Sequence, residues 1–384
     1  MPKHHVIIGA SAAGIAVINK LARMVPDHTF TCITGQSELP YNKCLIADYL
    51  AGNKKQEEIL LSSMSGRFIN NTRVIQLDPQ SRSIMCDNGI MIEYDTLFLG
   101  MGCSPILPPF ARSISFNNMF TFNSFADAQA IEHYIQASGA KRAVIIGAGI
   151  SGVECADALQ KKGLQVTLVE RNQRVMSAFL DAAGSFFLEG QMEAQGIRIL
   201  CNQEVKSVSG DIILETITLS SGIELGADLL ILATGLKPNI ELALQAGIAV
   251  QETGISVNQF LQTSVADIYA GGDIITVMDQ LTGNRMRSCL WPDAMLQGMH
   301  AALAMAGQHK PYMGASLITS SSFFGIHMAQ AGILEPQAPG DELVIKLEKE
   351  YYHKFLMQNG KLKGFMVLGN THNFSQLRRE ILTS

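Results

Sequence analysis

The chain has 384 residues, of which 47% are hydrophobic and 16% charged, with a formal net charge of −5. That length suits two or three domains, each with enough apolar mass for a core. The acidic balance excludes the basic face that nucleic-acid binding needs, and no apolar run approaches the about 18 residues of a membrane span.

The opening, "MPKHHVIIGA", moves straight into a strand and leaves no room for a signal peptide. The seven cysteines are scattered, and they form neither a CxxC pair nor a His/Cys cluster with zinc spacing. A reducing, cytoplasmic location and no metal site are expected. The nine histidines show no pairing pattern, and the 18 methionines read as core filler.

Along the chain, one pattern occurs twice: "HHVIIGASAAGIAVINKLARM" near the start and "KRAVIIGAGISGVECADALQKKG" from residue 141. Each is a short buried strand, a glycine-rich turn and a helix. The helices carry apolar residues at 3.6-residue spacing, Ile15, Ile18 and Leu21 in the first, Val153, Ala156 and Leu159 in the second. A further strand follows each, "TFTCITG" (29–35) and "QVTLVER" (165–171). These are parallel strand–helix–strand units, and two of them predict two doubly wound nucleotide-binding domains.

The runs "YDTLFLG" (94–100) and "ADLLILATG" (227–235) read as central parallel strands whose glycine ends face a ligand crevice. Proline-rich boundaries follow at "PILPPF" and "LKPN". From about residue 313 the texture changes to alternating strands with a turn at Asn359-Gly360, a small antiparallel third domain. The expected fold is α/β: two Rossmann-like domains, 1–110 with 236–312 and 111–235, plus a small α+β domain at 313–384.

The second glycine motif is Gly147-x-Gly149-x-x-Gly152. Such a turn lets backbone amides and a helix N-terminus approach a pyrophosphate. Glu170, at the end of the next strand, is placed to accept a ribose 2′-hydroxyl and to repel a 2′-phosphate, which favours NADH over NADPH. Arg171 beside it can hold that phosphate and weakens the preference. The alternative is a tight turn that binds nothing. The first motif, Gly9-x-Ser11-x-x-Gly14 with Ala12 and Ala13 between, has serine at the middle position, and Gln36 stands where an acid is expected.

The late segment "DIYAGGDI" runs a strand into Gly271-Gly272-Asp273. It resembles the second flavin fingerprint of two-dinucleotide-domain flavoproteins, in which the aspartate binds the ribityl chain of FAD. "LILATGLKPN", ending its strand at Gly235, resembles the strand-and-turn before it. "YDTLFLGMGCSP" resembles the earlier copy, with Gly100-Met101-Gly102 in place of Ala-Thr-Gly. The ordered landmarks resemble the pyridine nucleotide–disulfide oxidoreductases, which implies FAD and NADH as cofactors and an NAD domain inserted into a split FAD domain.

Finer features resemble NADH:rubredoxin oxidoreductases and the FAD/NADH module of nitrite reductases. "LPYNK" with "YLAG" follows the second strand, "LWPDAMLQGMHAALAMAG" resembles the helix that closes over the flavin, with Trp291 near its start, and "KFLMQNGKLKGFMVLGN" resembles the C-terminal domain. This implies an FAD-dependent NAD(P)H oxidoreductase that passes electrons to a small rubredoxin- or ferredoxin-like protein, as a monomer or homodimer.

Cys44 fits a second branch of the same family, the NADH peroxidases, NADH oxidases and coenzyme A disulfide reductases. There a lone cysteine precedes a Tyr-Leu-x-Gly ending, here Tyr49 to Gly52. Cys44 is then either a thiol relay to disulfide, peroxide or oxygen, or a small residue that packs by the ring. The resemblance also implies a glutamate–lysine pair beside the flavin. Glu154 and Lys43 are the candidates, although the usual lysine position holds Asp48. A flavin-binding module without enzymatic role is the reading from another class.

Overall fold

The computed structural model describes residues 1–61, 65–251, 253–369 and 373–383; Asn370, the last residue of the tail motif, lies outside them. The chain divides into two compact units: Met1–Cys44, Ile59–Ser104 and Lys237–Leu317 form the first, and Leu45–Glu58, Pro105–Leu236 and Ile318–Ser384 the second.

In the first unit a parallel sheet has the order Ile268–Ala270, Thr96–Leu99, His4–Ile8, Thr29–Ile33, Arg67–Ile69. Val6, Ile7, Leu97, Phe98 and Leu99 have no exposed surface, because helices cover both faces of a parallel sheet. Each such side chain contributes about 1.5–3 kcal/mol of burial. The helix Ala12–Met24 buries Ile15, Ile18 and Leu21, as the spacing predicts. It lies close to the helix Trp291–Met305: a Cβ on Gly298 would come within 2.2 Å of the Ala13 carbonyl oxygen, so only glycine permits this approach.

In the second unit the parallel order is Arg198–Leu200, Gln165–Val169, Arg142–Ile146, Leu229–Leu232, Met119–Thr121. The helix Ile150–Lys161 buries Val153, Ala156 and Leu159. An antiparallel sheet, ordered Ile318–Phe323, Ile326–Gly332, Lys361–Gly369, Tyr352–Gln358, Asp341–Leu347, completes the unit. Its Asn359-Gly360 turn has φ of +52° and +74° and pairs Gln358 with Lys361, the two-residue hairpin that the sequence signals.

The divisions fall at 104/105, 236/237 and 317/318, whereas the sequence reading places them at 110/111, 235/236 and 312/313. Two segments also group differently from that reading. The stretch Leu45–Glu58 joins the second unit, where the Tyr49 ring meets Phe125 edge-on at 4.8 Å between centroids. The C-terminal sheet falls in the same unit, within which Asp181 accepts hydrogen bonds from the Tyr352 hydroxyl at 2.7 Å and Lys354 Nζ at 3.0 Å. Polar partners of this kind are not legible from strand periodicity.

Candidate active site

The two glycine turns share one backbone geometry. Gly9 N donates to Ile33 O and Gly147 N to Val169 O, each at 2.8 Å. A Cβ on Gly9 would come within 2.1 Å of the Gly100 carbonyl oxygen, and one on Gly147 within 2.2 Å of that of Ala233. Cβ atoms on Gly14 and Gly152 would meet the carbonyl oxygens of Gly9 and Gly147 at 1.9 and 2.0 Å. With φ of +105° at Gly9 and +106° at Gly147, the fold itself demands the outer glycines.

The middle position differs. Ser11 and Gly149 are helix N-caps in extended conformation, which any residue adopts. Beyond its chain neighbours, no atom of the described residues lies within 4 Å of a Cβ built on Gly149, so the fold does not require glycine there. Close approach of an occupant is the remaining reason for it. Ser11 is exposed and its hydroxyl caps no amide. Neither helix has an acidic residue in its first turn. The amides of Ala12, Ala13 and Gly14, and those of Ile150, Ser151 and Gly152, lack intrahelical acceptors, which suits an anion at both ends.

Glu170 is buried, and both its oxygens are engaged: Oε2 accepts from Ala148 N at 2.7 Å and Oε1 from Asn172 N at 2.8 Å. The acid therefore pins the glycine turn it was expected to serve, with lone pairs left for a sugar hydroxyl. The matching residue in the first unit is Thr34. Thr34 N donates to Ile69 O as Glu170 N does to Leu200 O, and Thr34 Oγ1 accepts from Gln36 N as Glu170 accepts from Asn172 N. Gln36 thus corresponds to Asn172 in this register. The strand ends at Ile33, so Thr34 is the residue that follows it. The Gln36 side chain donates instead to the Tyr41 hydroxyl at 3.1 Å.

Asp273 anchors a second cluster of the first unit. Gly272, with φ of +77°, donates its amide to the fully buried Gln297 at 2.7 Å. Burial pushes the Asp273 carboxyl up, while Lys43 and Arg287 pull it down. Arg287 Nη1 donates to Cys103 Sγ at 3.1 Å, and the Cys103 thiol has the Asp273 carbonyl oxygen at 3.4 Å. The Cys289 side chain and burial push the Cys103 thiol above its usual range, and the Cys103 side chain draws the Cys289 thiol below it. Arg287, Cys103 and Cys289 were missed by the sequence reading, which sought cysteine pairs at short spacing. Gly102, with φ of +62°, precedes Cys103, and its carbonyl accepts from Asn239 N at 3.0 Å. Half-buried Trp291 opens the helix Trp291–Met305, whose N-cap Leu290 supplies no side-chain cap.

The other predicted residues have separate settings. Cys44 is exposed on the short 3₁₀ turn Lys43–Leu45, its amide donating to Asn42 Oδ1 at 3.1 Å. Lys43 lies near Asp273 and Cys289. Glu154 accepts a short hydrogen bond from the Ser321 hydroxyl. Burial first, then the Asp48 and Asp157 charges, push its carboxyl up, while Ser321 opposes. The charged neighbours found for Glu154 are thus acids, and Lys43 belongs to the other unit. Gly235 has φ of +104°, and its carbonyl accepts from Ile106 N at 2.9 Å.

A family model described as pyridine nucleotide-disulphide oxidoreductase matches residues 3–298. The chain belongs to this family. It is 30% identical over 314 residues to an NADH oxidase of Methanocaldococcus jannaschii, covering 79% of this chain and 70% of that one. To a rubredoxin-NAD(+) reductase of Acinetobacter baylyi it is 31% identical over 284 residues, 71% of this chain and 72% of that one. The structure of reduced Bacillus anthracis CoADR-RHD shares the fold, with a TM-score of 0.91 at 23% identity, covering 100% of this chain and 74% of that one.

As a member of the pyridine nucleotide-disulphide oxidoreductases, the protein is an FAD-dependent NAD(P)H oxidoreductase of mixed α/β fold. Its residues fit both cofactors. The open space over Gly149 and the acid-free helix starts suit pyrophosphates. Among the described residues there is no group of His, Cys, Asp and Glu able to hold a metal ion, and no helix long and apolar enough to cross a membrane.

Proposed function

We propose that hydride passes from NADH, held at the second glycine turn, to FAD, held at the first, and that electrons then leave singly to a small iron–sulfur or rubredoxin-type protein. The observation that carries this reading is the duplicated turn, whose middle position is free of any fold requirement for glycine at Gly149. The named function of the 31% identical rubredoxin-NAD(+) reductase supports the acceptor class. FAD supplies two-electron acceptance and one-electron release; the protein supplies position and electrostatics.

In this reading residues 1–110 and 236–312 hold FAD, residues 111–235 hold NADH, and 313–384 form the small third domain. Gly9, Ser11, Ala12, Ala13 and Gly14 face the flavin pyrophosphate, and Asp273 with Gly272 takes the ribityl chain. Gln36 meets the adenosine side, while Gly102 and the helix start at Trp291 lie along the ring. Gly147, Gly149, Gly152 and Gly235 receive NADH, and Glu170 takes its ribose. Lys43 acts on Asp273, and Glu154 positions the nicotinamide. A cytoplasmic location belongs to the same proposal, in keeping with seven cysteines none of which is disulfide-bonded.

The test is anaerobic NADH titration of the yellow protein, followed by NADH-dependent reduction of rubredoxin and of a [2Fe–2S] ferredoxin, in the wild type and in Cys44→Ser. Flavin bleaching and an acceptor rate unchanged in the variant support the reading. If Cys44→Ser keeps its FAD but loses turnover, and only disulfide, peroxide or oxygen is reduced, Cys44 is the relay and the proposed acceptor is wrong.

A further inference from the structure

We infer that the strand Asp341–Leu347 is a pairing edge for a second copy of this chain, joined antiparallel about a two-fold axis at Val344. The strand ends the five-stranded sheet, and among the described strands it is bonded to one neighbour, Tyr352–Gln358. All of its residues but Asp341 are exposed. Leu343, Val344, Ile345 and Leu347 are 39%, 38%, 50% and 52% exposed. Sheet edges that stay unpaired are shortened, bulged, charged or covered. This one runs in unbroken register along its neighbour for seven residues, four of them apolar.

The side chains sort by face. Leu343, Ile345 and Leu347 stand opposite Leu356, Lys354 and Tyr352, which are buried, so they carry the inner face of the sheet out to its rim. Glu342, Val344 and Lys346 lie on the other face. The backbone groups sort in the same way. Glu348 N donates to Tyr351 O at 2.9 Å, and antiparallel bonding alternates from there. The bonded pairs are therefore Lys346 with His353, Val344 with Phe355 and Glu342 with Met357. The N–H and C=O groups of Leu343, Ile345 and Leu347 point to the open edge.

The occupant follows from charge. With Val344 facing Val344, Leu343 of one copy lies opposite Ile345 of the other, and Glu342 opposite Lys346, each pair occurring twice. Leu343 and Ile345 are edge-facing positions and can exchange backbone hydrogen bonds. Glu342 and Lys346 then fall in the non-bonded pairs, where opposed side chains come nearest and opposite charges attract. No other antiparallel register of the strand with itself sets this acid against this base. Among the described residues, no ion pair includes Glu342 or Lys346. A lysine alone would guard the edge against pairing. An acid and a base placed symmetrically about one valine instead favour the same strand run in the opposite direction.

The experiment measures the mass of the FAD-loaded protein by sedimentation equilibrium over a concentration series, for the wild type, Glu342→Lys, Lys346→Glu and the variant carrying both changes. The wild type should form dimers. Each single variant sets like charges opposite each other at two places and should weaken association about tenfold or more. An equimolar mixture of the two single variants should dimerise as the wild type does, because each supplies the charge that the other has lost. The double variant should dimerise by itself, which keeps the test decisive if one single variant fails to fold. A wild type that stays monomeric, a dimer that survives both single changes, or a mixture that associates no better than its components overturns the proposal. Flavin bleaching by NADH, which reports separately on the proposed function, should be the same in all of them.

Discussion

The Glu170 carboxylate and the Ala148 amide are joined by a 2.7 Å hydrogen bond that ties the end of a strand to the glycine turn beside it. The acid proposed to select the nucleotide therefore also shapes the loop that receives the pyrophosphate. Replacing Glu170 with alanine should raise the KM for NADH about tenfold or more, by loss of charge-assisted hydrogen bonds worth about 1.5–3 kcal/mol. Discrimination against NADPH should fall in parallel, with flavin content unchanged. Steady-state kinetics with both nucleotides check this; an unchanged KM for NADH would remove Glu170 from the site.

The glycines of the second turn should separate folding from binding. Gly147→Ala places a Cβ 2.2 Å from the Ala233 carbonyl oxygen at a φ of +106°. It should cost about 3 kcal/mol or more of stability. Gly149→Ala meets, beyond its chain neighbours, no atom of the described residues within 4 Å, at a φ of −77°. Its stability should stay within about 1 kcal/mol of the wild type, while NADH affinity drops at least tenfold. Urea melts and NADH titrations of the two variants give the answer, and equal destabilisation by both would contradict it.

A pH-dependent stability term should come from His5. It is fully buried, hydrogen-bonded to His28 at 2.8 Å and to Thr96 Oγ1 at 2.7 Å, and burial together with His28 pushes it down to about 4. The unfolded chain, with an ordinary value of 6.5, binds more protons than the folded one between these limits. Stability should therefore rise with pH from about 4 to 6.5 and fall on acidification, by up to about 3 kcal/mol over the full window. Urea melts from pH 4.5 to 7.5 should show a shallower slope for His5→Asn than for the wild type.

The Lys354 side chain is 4% exposed and reaches Glu335 at 2.6 Å and Asp181 at 3.0 Å. Lys354→Ala strands Asp181 beside a buried hole and should cost about 3 kcal/mol. The KM for NADH should stay unchanged, since neither partner belongs to the glycine turns. A normal melting curve would show that the Tyr352 hydroxyl and the Gly184 amide satisfy Asp181 without the lysine.

What the sequence determined was local. Alternating and 3.6-residue apolar spacing placed the strands and helices around both turns, because burial of Ile18 or Leu159 needs only helical periodicity. The outer glycines were legible because a left-handed φ leaves a residue-level mark, as did Asn359-Gly360. The tertiary structure decided whatever depends on residues remote in the chain. Thr34 takes the place corresponding to Glu170 because each directly follows the last residue of its strand, Ile33 and Val169, whose carbonyls accept from Gly9 and Gly147. His5, on a strand, pairs with His28, in the turn before the neighbouring strand, although no spacing rule links them. The charges that push the Glu154 carboxyl up are those of Asp48 and Asp157. Arg287 and Cys103, far apart in the chain, meet beside Asp273. A sequence motif records constraints between near neighbours, and contact between distant side chains exists only once the sheet order and the packing of the closing helix are set.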